Sequence, residues 1–96
     1  MQLEHIIDTI RSLVECESPS TDYAAVAGSA TLVATLGETL FGVAPERIEI
    51  GGVSHLRWQF GAATEVLVLA HHDTVWPLGT LTRMPFAVRD GVLTGP

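Results

Sequence analysis

Apolar side chains recur at Leu3, Ile6, Ile7, Ile10, Leu13 and Val14, while Glu4, Asp8, Arg11, Ser12 and Glu15 take the other side. That i, i+3, i+4, i+7 stripe predicts an amphipathic helix over residues 3–14. It should end near Ser18-Pro19, because a proline disfavours helical geometry in the residue before it. Ser20, Thr21 and Asp22 then offer N-caps for a second helix over residues 23–41, with Gly42 as its stop. Its Ala24, Ala25, Ala27, Gly28 and Ala30 are small enough for close packing on a neighbour. The period then shortens. Arg47-Ile48-Glu49-Ile50 reads as a strand, Gly51-Gly52 as a turn, and Ser54 to Phe60 as a strand with one wet face, Leu56, Trp58 and Phe60 alternating with Arg57 and Gln59. Residues 65–70, Glu65-Val66-Leu67-Val68-Leu69-Ala70, form a short apolar run suited to a strand buried on both faces. Asp90-Gly91, between Phe86–Arg89 and Val92–Thr94, is a two-residue hairpin signal.

These elements predict an α/β fold, two amino-terminal helices on a mixed β-sheet with strand 65–70 at its centre. An unpaired sheet edge and an exposed apolar face are expected with it, both of which favour self-association. The chain has 96 residues, room for one small domain at most. Its 47% hydrophobic content is high for so short a polypeptide, which implies a core completed by more chain or by a partner. A net charge of −6 with five scattered basic residues argues against nucleic acid and anionic membranes as partners. Cys16 stands alone, so neither an internal disulfide nor a cysteine-based zinc knuckle can form. The first residues lack the charge and apolar length of a signal peptide, and no continuous apolar stretch approaches the ~20 residues of a membrane span. A cytoplasmic location follows as the expectation.

The apolar run leads directly into His71-His72-Asp73. Alternate side chains of a strand share a face, so His71 and Asp73 should point one way and His72 the other. Two residues of strand span about 6–7 Å, close enough for a carboxylate to steady an imidazole. Metal-bound histidines usually have their second nitrogen held by such a partner, and ligands of open α/β sheets gather beyond the carboxyl ends of strands. Taken alone, the triplet reads more readily as a polar strand end that meets water, because so short a motif recurs by chance.

Its surroundings are more specific. From Val66 on, VLVLAHHDTVWPLGTLTRMPFAVRDGVLTGP resembles the first metal-binding segment of the dinuclear zinc peptidases related to glutamate carboxypeptidase and aminoacylase. The shared elements, in order, are a hydrophobic strand, His71-x-Asp73-Thr74-Val75, a loop with Pro77 and Gly79-Thr80-Leu81, Pro85-Phe86, Asp90-Gly91 and Gly95-Pro96. Glu17-Ser18-Pro19-Ser20 between the two helices also fits. The loop Trp76-Pro77-Leu78-Gly79-Thr80-Leu81 and Pro85-Phe86 resemble the glutamate carboxypeptidase-like branch more than the dipeptidase or deacylase branches.

The resemblance implies that residues 1–96 are the amino-terminal part of a catalytic, zinc-binding domain. His71 would bind one of two zinc ions, with cobalt a possible substitute, and Asp73 would be the catalytic acid that positions it. His72 falls at the variable position. The family's bridging aspartate, its general-base glutamate, its other ligands and its smaller lid or dimerisation domain match no residue here. The implied reaction is hydrolysis that releases a carboxy-terminal amino acid, glutamate among the candidates, from small peptides or N-acyl amino acids. One ligand is not a site, since a catalytic zinc normally has three protein ligands. The 96 residues alone are therefore expected to be inactive. A non-catalytic truncated module or interaction fragment is the alternative. A mononuclear site shared between two copies through His71 and His72 would be a third arrangement. Substrate-binding residues are not indicated.

The remaining candidates have ordinary explanations. His5 reads as a surface histidine, and His55 opens a strand without an acidic neighbour at ligand spacing. Cys16, between Glu15 and Glu17, lacks the cationic surroundings that activate a thiol. Trp76 and Arg83 suit a substrate entrance, or equally packing and a solvated charge. Helix capping accounts for Ser18 and Ser20.

Overall fold

The computed structural model describes residues 2–96. Helix α1 spans Leu3–Glu15 and α2 spans Tyr23–Phe41. Strands β1 (Glu46–Ile50) and β2 (Val53–Arg57) follow, then a single helical turn α3 (Thr80–Arg83) and strands β3 (Ala87–Arg89) and β4 (Val92–Thr94). The strands form two separate antiparallel pairs, β1 with β2 and β3 with β4. The fold is thus α/β in the coarse sense, with both helical and sheet elements.

Local chemistry explains each boundary. Asp22 caps α2, its Oδ1 accepting from Ala25 N–H at 3.0 Å. Gly42 closes the helix in the left-handed region at φ 74°, its N–H donating to Glu38 O at 2.8 Å. Asp90 and Gly91 both have positive φ, 52° and 76°, the pattern of a tight hairpin turn matched to sheet twist. Across β1 and β2 the register pairs Glu46 with Arg57, whose side chains form an ion pair at 2.6 Å.

The packed part of the molecule is α2 against β2. Val26 and Ala30 are the buried hydrophobic residues there, with Ser29 and Ser54 buried beside them. Gly37 allows the closest approach: an added Cβ would collide with the Trp58 indole. Trp58 Nε1 donates to Val43 O at 3.0 Å, and the Phe41 ring meets Trp58 edge-on at 5.6 Å. The aromatic end of the expected second strand therefore packs as a cluster, and β2 stops at Arg57. Arg47 braces hairpin to helix, donating to Thr31 Oγ1 and Ala27 O at 2.8 Å each.

Several expectations are corrected. Among the described residues there is no single mixed sheet, and residues 65–70 form no strand. Val66, Leu67, Val68 and Leu69 are 75–84% exposed, and no described residue pairs with them. Each two-stranded hairpin keeps its outer edges unpaired, yet none of those edges is paired with this run. The helices do not lie side by side on a sheet either. Helix α2 covers β2, whereas α1 contacts α2 and buries no residue. Its apolar stripe stays partly open, with Leu3 67% exposed. The reading of apolar stretches is also revised: α2 is long and apolar enough, by length and composition, to cross a membrane. Thr, Ser and Gly interrupt its apolar positions, yet Glu38 is its one charged residue.

Dimensions match this openness. The radius of gyration is 14.7 Å, against about 12.5 Å for a compact chain of this length. The accessible surface is 7016 Å², against about 5,400 Å² for a compact protein of this mass.

Candidate functional site

The site is built where the α1–α2 loop meets the residues after the apolar run. Pro19 and Thr74 form an isolated parallel bridge. Thr74 N–H donates to Ser18 O at 2.8 Å, and Ser20 N–H donates to Thr74 O at 2.9 Å. Ser18 Oγ adds a bond to His72 O at 2.9 Å, and Ser20 Oγ one to Thr74 O at 3.0 Å. Neither serine caps α2, since Asp22 does so. This corrects the capping explanation: short hydroxyl side chains next to a proline can serve distant backbone as readily as their own. Only the folded chain distinguishes the two.

His71 and Asp73 lie together. His71 Nδ1 is 3.0 Å from Asp73 O and 3.2 Å from Asp73 Oδ1. Both partners are acceptors, so the hydrogen-bond pattern assigns the proton to Nδ1 and leaves a lone pair on Nε2. The His71 side chain is 84% exposed, so that lone pair is open to an incoming group. The Asp73 carboxyl is held below the usual carboxylate range, chiefly by the Ser20 hydroxyl beside it, then by its own backbone N–H and by His71. Ser20 has one hydroxyl proton, and hydrogen-bond geometry gives it to Thr74 O.

His72 turns elsewhere. Its Nδ1 lies 2.9 Å from Ser29 Oγ on the buried face of α2. Burial lowers its pKa below the ordinary histidine value, opposed by Asp73 and reinforced by His71, His55 and Arg47. A ring engaged with Ser29 and held neutral suits packing between the loop and α2.

Glu17 was singled out only as part of a motif, but it makes the site's longest-range contacts. Its carboxylate accepts from Gly79 N–H at 2.9 and 3.1 Å and from Leu81 N–H at 2.9 Å. Those bonds, Leu81 first, depress its pKa. They hold the loop that follows Thr74 and carries Trp76, itself 43% exposed. Trp76 and Thr74 border a small cleft against Leu13, Val14 and Cys16 at the end of α1. Arg11 lies over the Phe86 ring at 4.7 Å, tying α1 to the segment before β3. His5 is exposed on α1, His55 is exposed on β2, and Arg83 is exposed in the last turn of α3.

For a metal, His71 presents the right electronic form: a steadied Nδ1–H and a free Nε2. Among the described residues no three His, Cys, Asp or Glu side chains converge to hold an ion. At this site the described residues therefore supply one open imidazole and no complete set of metal ligands. Comparison with family models, with curated proteins and with solved structures finds no match.

Proposed function

We propose that the chain is the amino-terminal part of the catalytic domain of a metal-dependent amidohydrolase or carboxypeptidase of the dinuclear zinc peptidase type. The observation that supports this best is the His71–Asp73 pair, with Nδ1 engaged by the acid and Nε2 open. In that reading His71 donates Nε2 to a zinc ion, or to cobalt in its place. Asp73 holds the Nδ1 proton and so the ring's orientation. Zinc, when bound, would polarise the scissile carbonyl and make water a better nucleophile near neutral pH. The substrate would be a small peptide or N-acyl amino acid that loses its carboxy-terminal residue, glutamate among the candidates. The finer fold, a zinc-peptidase-like domain in which residues 65–70 become a central strand, belongs to the same proposal. Its support is the large exposed apolar surface at Val66 to Leu69. The remaining ligands and the general base would lie outside these 96 residues.

The test is amidase assay of the continuous reading frame that contains this chain, dialysed and then supplied with zinc or cobalt. Metal-dependent release of a carboxy-terminal amino acid is expected. His71→Ala should abolish it, and Asp73→Asn should lower metal affinity or activity about 10–100-fold. Metal-independent or absent hydrolysis across N-acyl amino acids and short peptides would overturn the reading. The exposed run at residues 66–69 also favours a second reading, a non-catalytic module that associates through it, with itself or with a partner. In that case the extended polypeptide would bind a partner and hydrolyse nothing.

A further inference from the structure

Among the described residues His71 has a hydrogen-bond partner only in Asp73, and its own side chain is 84% exposed. What aims Asp73 is therefore the question. Four hydrogen bonds from one short loop bracket it: Ser18 Oγ to His72 O, Thr74 N–H to Ser18 O, and Ser20 N–H and Oγ to Thr74 O, all between 2.8 and 3.0 Å. The residues on either side of Asp73 are thus fixed to a loop 54 positions away. With both flanking peptides fixed, the direction of the Asp73 carboxylate is limited by its own side-chain rotamers. Ser18 is only 2% exposed, so water cannot replace its hydroxyl at the His72 carbonyl. Ser20 lies at the surface, where its hydroxyl donates to Thr74 O.

We propose that Ser18 and Ser20 are positioning residues that, through the backbone of His72 and Thr74, hold Asp73 against His71 and keep the His71 proton on Nδ1. The functional meaning of this rests on reading His71 as a metal ligand, but its geometry does not. A merely structural role for the serines would alter stability and leave the tautomer of a surface histidine unchanged.

Nitrogen-15 imidazole spectra of the metal-free chain, recorded well above the ordinary histidine pKa, read the tautomer directly. In the parent chain His71 Nδ1 should resonate as a protonated, pyrrole-type nitrogen and Nε2 as a pyridine-type one. Ser20→Ala, at an exposed position, should shift the population toward the Nε2–H form that an unconstrained imidazole prefers. Ser20→Thr, which keeps the hydroxyl, should restore the parent pattern. Ser18→Ala should produce the larger shift, with the amide spectrum reporting whether the fold is intact; if it is not, the Ser20 pair decides. His5 and His55 serve as internal references and should not move. A parent chain already in the Nε2–H form, or an unchanged His71 tautomer in folded Ser20→Ala, overturns the proposal. Activity of the extended polypeptide decides the metal reading separately. Tautomer control without hydrolysis would sink that reading alone, and hydrolysis without tautomer control would sink the positioning role alone.

Discussion

Val66 to Leu69 keep three quarters or more of their surface in water and pair with no described residue, whereas His72 to Thr74, a few positions further on, are bonded to Ser18 and Ser20. The apolar segment has the stronger pattern and the weaker structure. Hydrophobic side chains state a need for cover, and nothing in a run of Val and Leu supplies it. The polar segment has a weak pattern but finds complementary donors and acceptors within the same 96 residues. Its stability comes from matched hydrogen bonds, and that of the α2–β2 unit from packing.

The contrast can be tested from the largest effect downward. Gly37→Ala attacks the packed unit, where a methyl group meets the Trp58 indole; a loss of roughly 1–3 kcal/mol in denaturant unfolding is expected for such overpacking. An unchanged midpoint would mean that α2 and β2 are not the stable centre. Ser18→Ala attacks the bonded segment and should cost about 1–2 kcal/mol, because the part-buried His72 carbonyl loses its donor. Native-state amide exchange should then show Thr74 and Ser20 N–H exchanging faster than in the parent chain.

Acid offers a graded version. Glu17, Asp73 and His72 all have pKa values lowered by folding, so the unfolded chain binds more protons as pH falls. Their stabilisation is complete above the ordinary histidine value. The His72 contribution is lost as pH drops below that value, and those of Glu17 and Asp73 as it drops through the ordinary carboxylate range. Two steps in unfolding midpoint against pH are expected. His72→Asn should remove the upper one, and Glu17→Gln should diminish the lower. A rise in stability on acidification would contradict all three shifts. The smallest effect belongs to the open run: Leu67→Ser with Leu69→Ser should change stability by less than about 0.5 kcal/mol, as exposed substitutions do. A loss several times larger would mean that the run is covered in solution, and sedimentation of the parent and the double variant would show whether a second copy covers it.

Much of the local structure was legible in the sequence for reasons that are themselves local. The α1 stripe, the Gly42 stop and the Asp90-Gly91 turn depend on residues within one or two turns of chain, and each lies where its pattern places it; of the three cap candidates Asp22 serves, and α1 ends at Glu15, ahead of the expected Ser18-Pro19 boundary. His71 and Asp73 do meet, but not through the strand alternation their spacing suggested: no strand aligns them, and the imidazole reaches the Asp73 backbone O as well as its carboxylate. Tertiary pairing was not legible. Nothing in Val66 to Leu69 indicates whether a neighbouring strand is present, and a buried strand was inferred from composition that only a neighbour could bury. Ser18, Ser20 and Glu17 were misjudged or passed over because their partners lie 54 to 64 positions away. Adjacent hydroxyls beside a proline suggested a cap, and no local signal names Thr74 or Leu81 as the acceptor or donor.

Pro19 sits in the middle of the bridge to Thr74, yet the bridge draws its donor from Ser20 and its acceptor from Ser18. The imino acid occupies the one place where an absent N–H costs nothing inward. The junction can therefore clasp a distant segment firmly without stranding an unanswered donor in the interior, where Pro19 is buried.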